Sequence, residues 1–164
     1  MRASTLCCAT FLSLSVTFAQ NSESPIDIYT AALTEAAKEM ERQWSQFEPH
    51  ESQLRIDYRH RIVLKDDSVR AEYPASSGDI RFEYLTLSEC HARRRKIKRD
   101  FAVLRVHPAI VEGPRVKVLV SQDWISIHKG KPALGISDWG AVLFRVDASS
   151  GSKFVLDEIK LGGI

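Results

Sequence analysis

The densest charge in this 164-residue chain is a run of cations near its middle. It comprises Arg93, Arg94, Arg95, Lys96, Lys98 and Arg99. A cluster of this kind can form an anion-binding patch for phosphate, sulfated polysaccharide or phospholipid headgroups. The alternative is structural, because cations near the C-terminal end of a helix complement its dipole. Aromatic residues do not interrupt the run, so we expect no binding of nucleic acid.

Arg94 has a special position within this run. Consecutive residues of a helix step by about 100°, so the four cations from Arg93 to Lys96 cannot share one solvent-exposed face. Arg94 falls on the same apolar stripe as Cys90. We therefore expect Arg94 either to pair with a nearby carboxylate or to extend past its apolar neighbours.

A histidine in an alternating segment is the second candidate for chemistry. Alternation over residues 56–64 places Tyr58, His60 and Ile62 on one strand face with other apolar side chains. On such a face His60 could act as a general base with Tyr58 beside it. It could equally be a hydrogen-bonded residue of the core. The segment therefore leaves a catalytic and a structural interpretation open.

Motifs for metals and cofactors are absent from the sequence. The histidines have no metal-ligand spacing such as H-E-x-x-H. There is no G-x-S-x-G, P-loop or G-x-G-x-x-G pattern either. We therefore predict no metal site among neighbouring residues and no cofactor, and we do not predict a specific enzymatic reaction.

Two tryptophans form the third candidate. Trp124 follows Asp123 at the end of one predicted strand, and Trp139 follows Asp138 at the start of the next. If these strands are neighbours, the two indoles could meet at one end of the sheet. There they would line a ligand pocket or close the open end of the core.

The elements that position these residues are two helices and a series of strands. Apolar spacings of three and four predict a long helix from Pro25 to about residue 48, with Ser24 as its cap. Thr86 or Ser88 caps a shorter helix that runs to about residue 99. Apolar runs at 56–64, 69–73 and 80–85, and then at 101–106, 116–127, 141–146 and 154–161, predict strands.

These elements predict one α+β domain at residues 25–164. Its two helices pack on a curved, mainly antiparallel sheet of about five to six strands, because turn residues separate consecutive apolar runs. The run at 116–127 is apolar on both faces, whereas a solvated face would alternate with polar residues. We therefore expect an open sheet face able to pair with a second copy of the chain.

The first 19 residues have the pattern of an export signal. Arg2 precedes an uncharged apolar stretch, which ends at Thr17-Phe18-Ala19. We predict cleavage after Ala19, a short lead at residues 20–24, and a secreted or periplasmic mature chain without a membrane span. The signal contains two of the three cysteines, so Cys90 cannot form a disulfide within the mature chain.

The order of helix, strand pair, helix and four antiparallel strands resembles the NTF2-like roll and the related cystatin-like roll. The Ala19-Gln20 junction and the segments 138–147 and 154–164 also resemble small exported bacterial proteins. Enzymes of the NTF2-like family keep an acid, a tyrosine or a histidine inside a cone-shaped sheet. That resemblance implies such a role only for Tyr58 and His60. The cystatin Q-x-V-x-G loop is absent.

Three functional hypotheses follow. The first is an exported binding or protein-interaction domain without catalysis, dimeric through its open sheet face. The second is a small hydrolase or isomerase that uses His60 and Tyr58 in a cone pocket. The third is a module that binds an anionic ligand through the basic helix at residues 93–99.

Overall fold

The computed structural model of the chain describes residues 25–44, 56–67, 69, 74–147 and 153–163. These residues form an α+β fold with two helices and an open, mainly antiparallel sheet of eight strands. The helices are α1 (Pro25–Trp44) and α2 (Leu87–Ile97). The strands are β1 (His60–Leu64), β2 (Ser76–Ser77), β3 (Ile80–Leu85), β4 (Phe101–Val106), β5 (Ile110–Glu112), β6 (Arg115–His128), β7 (Lys131–Asp147) and β8 (Lys153–Gly163). The predicted fold class is confirmed, with more strands than the five or six expected.

Some of the predicted features fall outside the described residues. They are the export signal at 1–19, the lead at 20–24, the cap at Ser24 and most of the strand predicted at 69–73. In the part of the chain that the structure describes, neither helix combines the length and the apolar character that a membrane crossing requires.

The sheet has a parallel centre and antiparallel flanks. Its strands follow the order β2-β3-β1-β4-β6-β7-β8, and β5 pairs with the beginning of β6. β1 lies between β3 and β4 and is parallel to both. Parallel pairing needs a crossover connection, and α2 provides one from the end of β3 to the start of β4. The other pairs are antiparallel, with the β6–β7 hairpin as the longest.

α1 packs along one face of the sheet through the apolar stripe that the sequence predicts. Among its side chains, Leu33 and Met40 are fully buried. They share a core with Val63, Leu104 and Val120, which come from three different strands. A buried leucine or methionine contributes roughly 2–5 kcal/mol relative to alanine, so this stripe fixes the helix on the sheet.

α2 lies on the opposite face. Val103 and Leu104 are adjacent in β4 and point to opposite sides, and only Leu104 belongs to the core under α1. Val103 packs instead with Cys90 of α2. The helix begins with a capping box formed by Thr86 and Glu89, which satisfies backbone donors in its first turn. The core that α2 covers is small, so much of this second sheet face has no helix packed on it.

Candidate functional site

The part of the second sheet face beyond α2 forms a shallow groove, here called the open face. β5, β6 and β7 supply its apolar lining. That lining consists of Ile110, Leu119, Ile136, Trp139, Ala141 and Leu143. Leu119 is paired with Ala141, and residues directly opposite each other in a sheet share a face. The groove has a volume of about 470 Å³, and Ile110 and Ile136 beside it are each 51% exposed.

Charged side chains surround this groove, and they are paired within the chain. Lys117 forms an ion pair with Glu112, and both side chains line the groove. On the β8 side, Nζ of Lys160 lies 3.2 Å from Oε2 of Glu158. The positive and negative charges at the rim therefore neutralise each other locally. The groove favours a partner with an apolar surface over a partner with a net charge.

Trp139 is held at the centre of the open face by a glycine of the edge strand. A Cβ atom on Gly162 would lie 2.4 Å from Cζ2 and 2.6 Å from Cε2 of the Trp139 indole. Real Cβ atoms essentially never approach a heavy atom of another residue this closely, so the ring occupies space that only glycine leaves free. Gly162 and Trp139 are paired in the β7–β8 register, which fixes this contact.

The structure does not bring the two predicted tryptophans together. Trp139 is paired with Ser121 of β6, whereas Trp124 is paired with Gly135. Positions 121 and 124 differ by three residues in one strand, and side chains alternate between faces. Trp124 therefore lies on the α1 side of the sheet and Trp139 on the open face. The two indoles therefore do not meet, either to line one pocket or to close the open end of the core.

A polar cluster lies on the same face of β6, next to the groove. Ser121 lines the groove, and its Oγ is 2.8 Å from Nε2 of His107. Asp123 follows two residues later and is fully buried. Within the described residues, neither of its carboxylate oxygens accepts a hydrogen bond of regular geometry.

Burial controls the ionisation of this cluster. It raises the pKa of Asp123 above its ordinary value, and the nearby Ser121 hydroxyl, Arg105 and His107 offset only part of the effect. Burial also lowers the pKa of His107, and the positive charge of Arg105 lowers it further. The neutral forms of both groups are therefore favoured in the folded protein.

The order of these three groups does not suit nucleophilic catalysis. In a Ser-His-Asp triad, histidine lies between the serine and the aspartate, so that the aspartate orients the imidazole. Here Ser121 lies between His107 and Asp123 instead. This cluster was not predicted from the sequence. Its available signal was an acidic residue, Asp123, inside a long apolar strand.

A second buried polar cluster lies on the α1 side. Arg61 is 3% exposed, and its Nη2 donates a hydrogen bond to Oε1 of Gln122 at 2.5 Å. Nε2 of Gln122 in turn donates to Oδ2 of Asp138 at 2.9 Å. The guanidinium lies over the Tyr58 ring, 5.1 Å from its centre. Burial lowers the pKa of Arg61 to about 10, so the side chain remains charged at neutral pH.

This second cluster connects β1, β6 and β7 across the sheet, and sequence reasoning did not detect it either. Nη1 of Arg61 has no hydrogen-bond partner in the described part of the chain. A buried arginine with one unsatisfied nitrogen is costly, and the cation–π contact with Tyr58 offsets some of that cost. We interpret the cluster as a structural clamp, because its groups bind one another.

The two residues of the predicted cone pocket lie apart from any core. The side chain of His60 is 52% exposed, and its Nε2 is 3.6 Å from Oε2 of Glu83. Tyr58 belongs to the turn before β1 and is half-buried under Arg61. The alternation that placed His60 on an apolar face extended the strand too far, because β1 begins only at His60. Their proposed catalytic role stays a prediction.

The basic run divides into paired and unpaired cations. Arg93 makes two hydrogen bonds to Glu83, at 2.7 and 2.5 Å. Arg94 pairs with Asp100 at 2.5 Å, and its side chain is only 16% exposed, as expected for a cation on the apolar stripe. The other four, Arg95, Lys96, Lys98 and Arg99, are exposed and make no ion pair with any described residue.

Two further findings concern the chain as a whole. In the ranges that the structure describes, no three His, Cys, Asp or Glu side chains are grouped so that they could hold a metal ion. Comparison with protein-family models, curated proteins and solved structures found no match to this sequence. The function must therefore be argued from the surfaces themselves.

Proposed function

We propose that this chain is an exported, non-enzymatic binding domain that dimerises through the open face. The observation that carries the proposal is the apolar groove with Ile110 and Ile136 half exposed beside it. An antiparallel sheet face that remains in water normally carries polar side chains at alternate positions. A face that is apolar at those positions favours a covered state. The pattern at Thr17-Phe18-Ala19 supports export.

We also propose that the fold is a roll of the NTF2-like or cystatin-like type. One long helix, α1, packs along one face of a sheet that contains a long antiparallel hairpin. This arrangement supports the proposal, whereas the parallel pairing of β1 with β3 and β4 was not part of the element order from which the resemblance was drawn.

A second copy of the chain suits this groove better than a charged partner does. The rim cations Lys117 and Lys160 already have carboxylate partners in the same chain. An interface between identical copies must be self-complementary, and a rim with both signs meets that condition. In a two-fold dimer, the protruding Ile110 of each copy can enter the groove of the other.

The size of the open face predicts a weak dimer. Adjacent strands are about 4.8 Å apart, and residues along a strand are spaced by about 3.3 Å. For a face of four strands over 115–123, these spacings give a footprint on the order of 500 Å² per copy. Stable complexes bury about 800 Å² per partner. We therefore expect a dissociation constant in the micromolar range or above.

The sharpest test uses two adjacent residues of β5. Ile110 is paired with Lys117 and lies on the open face, whereas Val111 is paired with Val116 and lies on the α1 side. Both side chains are well exposed, at 51% and 75%. We propose sedimentation equilibrium of the mature chain, of Ile110→Glu and of Val111→Glu over a concentration series reaching about 1 mM. A buried unpaired carboxylate should weaken the dimer at least tenfold in Ile110→Glu only.

Three outcomes would contradict the proposal. A wild-type chain that stays monomeric throughout the series has no dimer to explain. Equal weakening by both variants would place the contact elsewhere, because Val111 points away from the groove. Dimerisation that survives Ile110→Glu would exclude the open face in the same way.

A further inference from the structure

One end of the molecule carries a concentration of unpaired cations. Eight side chains there make no ion pair with any described residue. They are Arg59, Arg81, Arg95, Lys96, Lys98, Arg99, Lys129 and Lys131. Among the carboxylates of this end, Asp57 and Asp79 are the two described ones without a cationic partner. Eight cations against two carboxylates give this end a strong positive potential, although the net charge of the whole chain is only +2.

The strand register brings these cations to the same end. Val63 of β1 is level with Leu104 of the parallel β4, so His60 is level with Phe101 at the start of β4. His60 is also paired with Arg81 of β3. The C-terminal end of α2 leads directly into the start of β4. The free cations of α2 therefore lie beside Arg59 and Arg81, although they are distant in sequence.

The β6–β7 hairpin adds a projecting arm to this end. β4 pairs with β6 only as far as Ile125, and the hairpin continues through Ser126 to His128 before it turns. At about 3.3 Å per residue, the arm extends roughly 10 Å beyond the start of β4. Its turn carries Lys129 and Lys131. The arm and the C-terminal end of α2 therefore lie at the same end of the sheet. We define the surface between them as the basic recess, with the arm and the end of α2 as its two walls.

Two depressions lie beside the starts of β1, β3 and β4. One has a volume of about 360 Å³, and its lining includes His60, Arg93 and Arg99. The other is lined by Arg59, His60, Asp79 and Arg81. His60 belongs to both, so the two depressions adjoin. The result is a continuous cationic surface rather than a single-ion site.

The shape of the recess decides which kind of polyanion fits. A flat membrane would touch the tip of the arm, but the arm would hold it away from the cations of α2. An extended chain can lie in the recess and contact both walls. Phe101, the aromatic residue that lines the first depression, is only partly exposed and so offers no open platform for base stacking. These features favour an acidic polysaccharide over nucleic acid or lipid.

We propose that the basic recess binds an extended acidic polysaccharide. Sulfate or carboxylate groups along the polymer would pair with Arg95 on α2, with Arg99 just after its end and with Lys129 on the arm. The unpaired state of these cations means that binding breaks no existing ion pair. This surface is separate from the open face, so binding and dimerisation are independent properties.

The test compares two double variants of equal charge. Arg95→Ala/Lys129→Ala removes one cation from each wall of the recess. Lys65→Ala/Arg145→Ala removes two exposed cations that lie away from it. The probe is a fluorescein-labelled heparin oligosaccharide, and its binding to the full mature chain is measured by anisotropy at 0.05, 0.15 and 0.3 M salt. Single-stranded DNA of equal charge and phosphatidylserine vesicles serve as parallel probes.

We expect the recess double variant to raise the dissociation constant for heparin about tenfold at 0.15 M salt, and the control to leave it within about twofold. Each single variant should account for part of the loss, since both walls contribute. Equal losses of heparin affinity in the two double variants would overturn the proposal, because they would indicate nonspecific electrostatic attraction to the whole protein rather than binding at the basic recess. An unchanged affinity in Lys129→Ala would exclude the arm, and tighter binding of DNA or vesicles would exclude the polysaccharide.

Discussion

Replacing Asp123 by asparagine should stabilise this protein at neutral pH. Asp123 is fully buried on β6, and neither carboxylate oxygen accepts a regular hydrogen bond from a described residue. Arg105 and His107 are near enough to affect its pKa, but neither forms an ion pair with it among the described residues. Asparagine has nearly the same volume and no charge, so the substitution removes the charge without leaving a cavity.

The expected gain follows from the cost of an unsatisfied buried group. Leaving such a group without a partner costs roughly 1–3 kcal/mol, and a charged group costs more. The asparagine amide still needs partners, so we expect a net gain of about 1–2 kcal/mol in the free energy of unfolding at pH 7.5.

The pH dependence of this gain has a definite sign. Asp123 is an acid whose pKa in the folded protein is raised above its ordinary value of 3.8. The ionised form is therefore disfavoured in the folded state, and this cost is fully present above the folded pKa. As the pH falls through the folded pKa toward 3.8, the wild-type protein recovers this stability. The advantage of Asp123→Asn should shrink over the same interval.

Urea denaturation at pH 7.5 and at pH 4 measures both effects. Asp138→Asn is the matched control, because Asp138 accepts hydrogen bonds from Gln122 and Ser137 and its charge favours the protonated form of Arg61. It should lose stability at pH 7.5, where Asp123→Asn gains it. The reasoning would be refuted if Asp123→Asn were destabilised at pH 7.5, or if its gain were equal at both pH values.

Two further predictions concern packing and reactivity. Gly162→Ala should displace the Trp139 indole and lower the free energy of unfolding by about 1–3 kcal/mol, measured by urea titration. Gly135→Ala is the control, because its added Cβ meets no atom within 4 Å, and it should have little effect in the same titration. Equal stability of the two variants would mean that the indole does not lie on Gly162. Burial raises the pKa of the Cys90 thiol to about 11. Cys90 should therefore resist alkylation by iodoacetamide at pH 8 in the native protein and should be alkylated once the protein unfolds in urea. Rapid alkylation of the native chain would contradict this assignment.

Local patterns in the sequence were sufficient to predict the elements with local causes. The apolar stripe through Leu33 and Met40 specified α1 and its buried face. The sequence predicted that Thr86 or Ser88 begins α2, and the structure shows Thr86 as the cap, with a capping box that depends only on the next three residues. The position of Arg94 on an apolar stripe predicted either pairing with a carboxylate or extension past its apolar neighbours, and the structure shows the pairing, with Asp100.

Features that depend on distant pairing were not predictable in this way. β1 lies between β3 and β4 and is parallel to both because the α2 crossover places β4 on the other side of β1 from β3. No local sequence pattern encodes that placement. The sequence predicted a break between the strands at 116–127 and 141–146, yet Pro132 and Gly135 of that interval both lie within β7. This part of β7 pairs only with β6, so its other edge needs no hydrogen-bond donor, and the missing N–H of Pro132 is tolerated. The Arg61 and Asp123 clusters likewise join residues of separate strands.

The two proposed surfaces have a common origin in the lengths of the elements. α2 has 11 residues and is about 16 Å long at 1.5 Å per residue. β6 has 14 residues and is about 46 Å long at 3.3 Å per residue. A helix that crosses over the short parallel strands cannot also cover such a hairpin. The uncovered middle of the hairpin becomes the open face, and its free end becomes the arm of the basic recess. A hairpin shortened at its turn would remove the arm while leaving both cores intact, because neither core contains a residue from 126–137. The length of the hairpin beyond Ile125 is therefore better explained by binding than by stability.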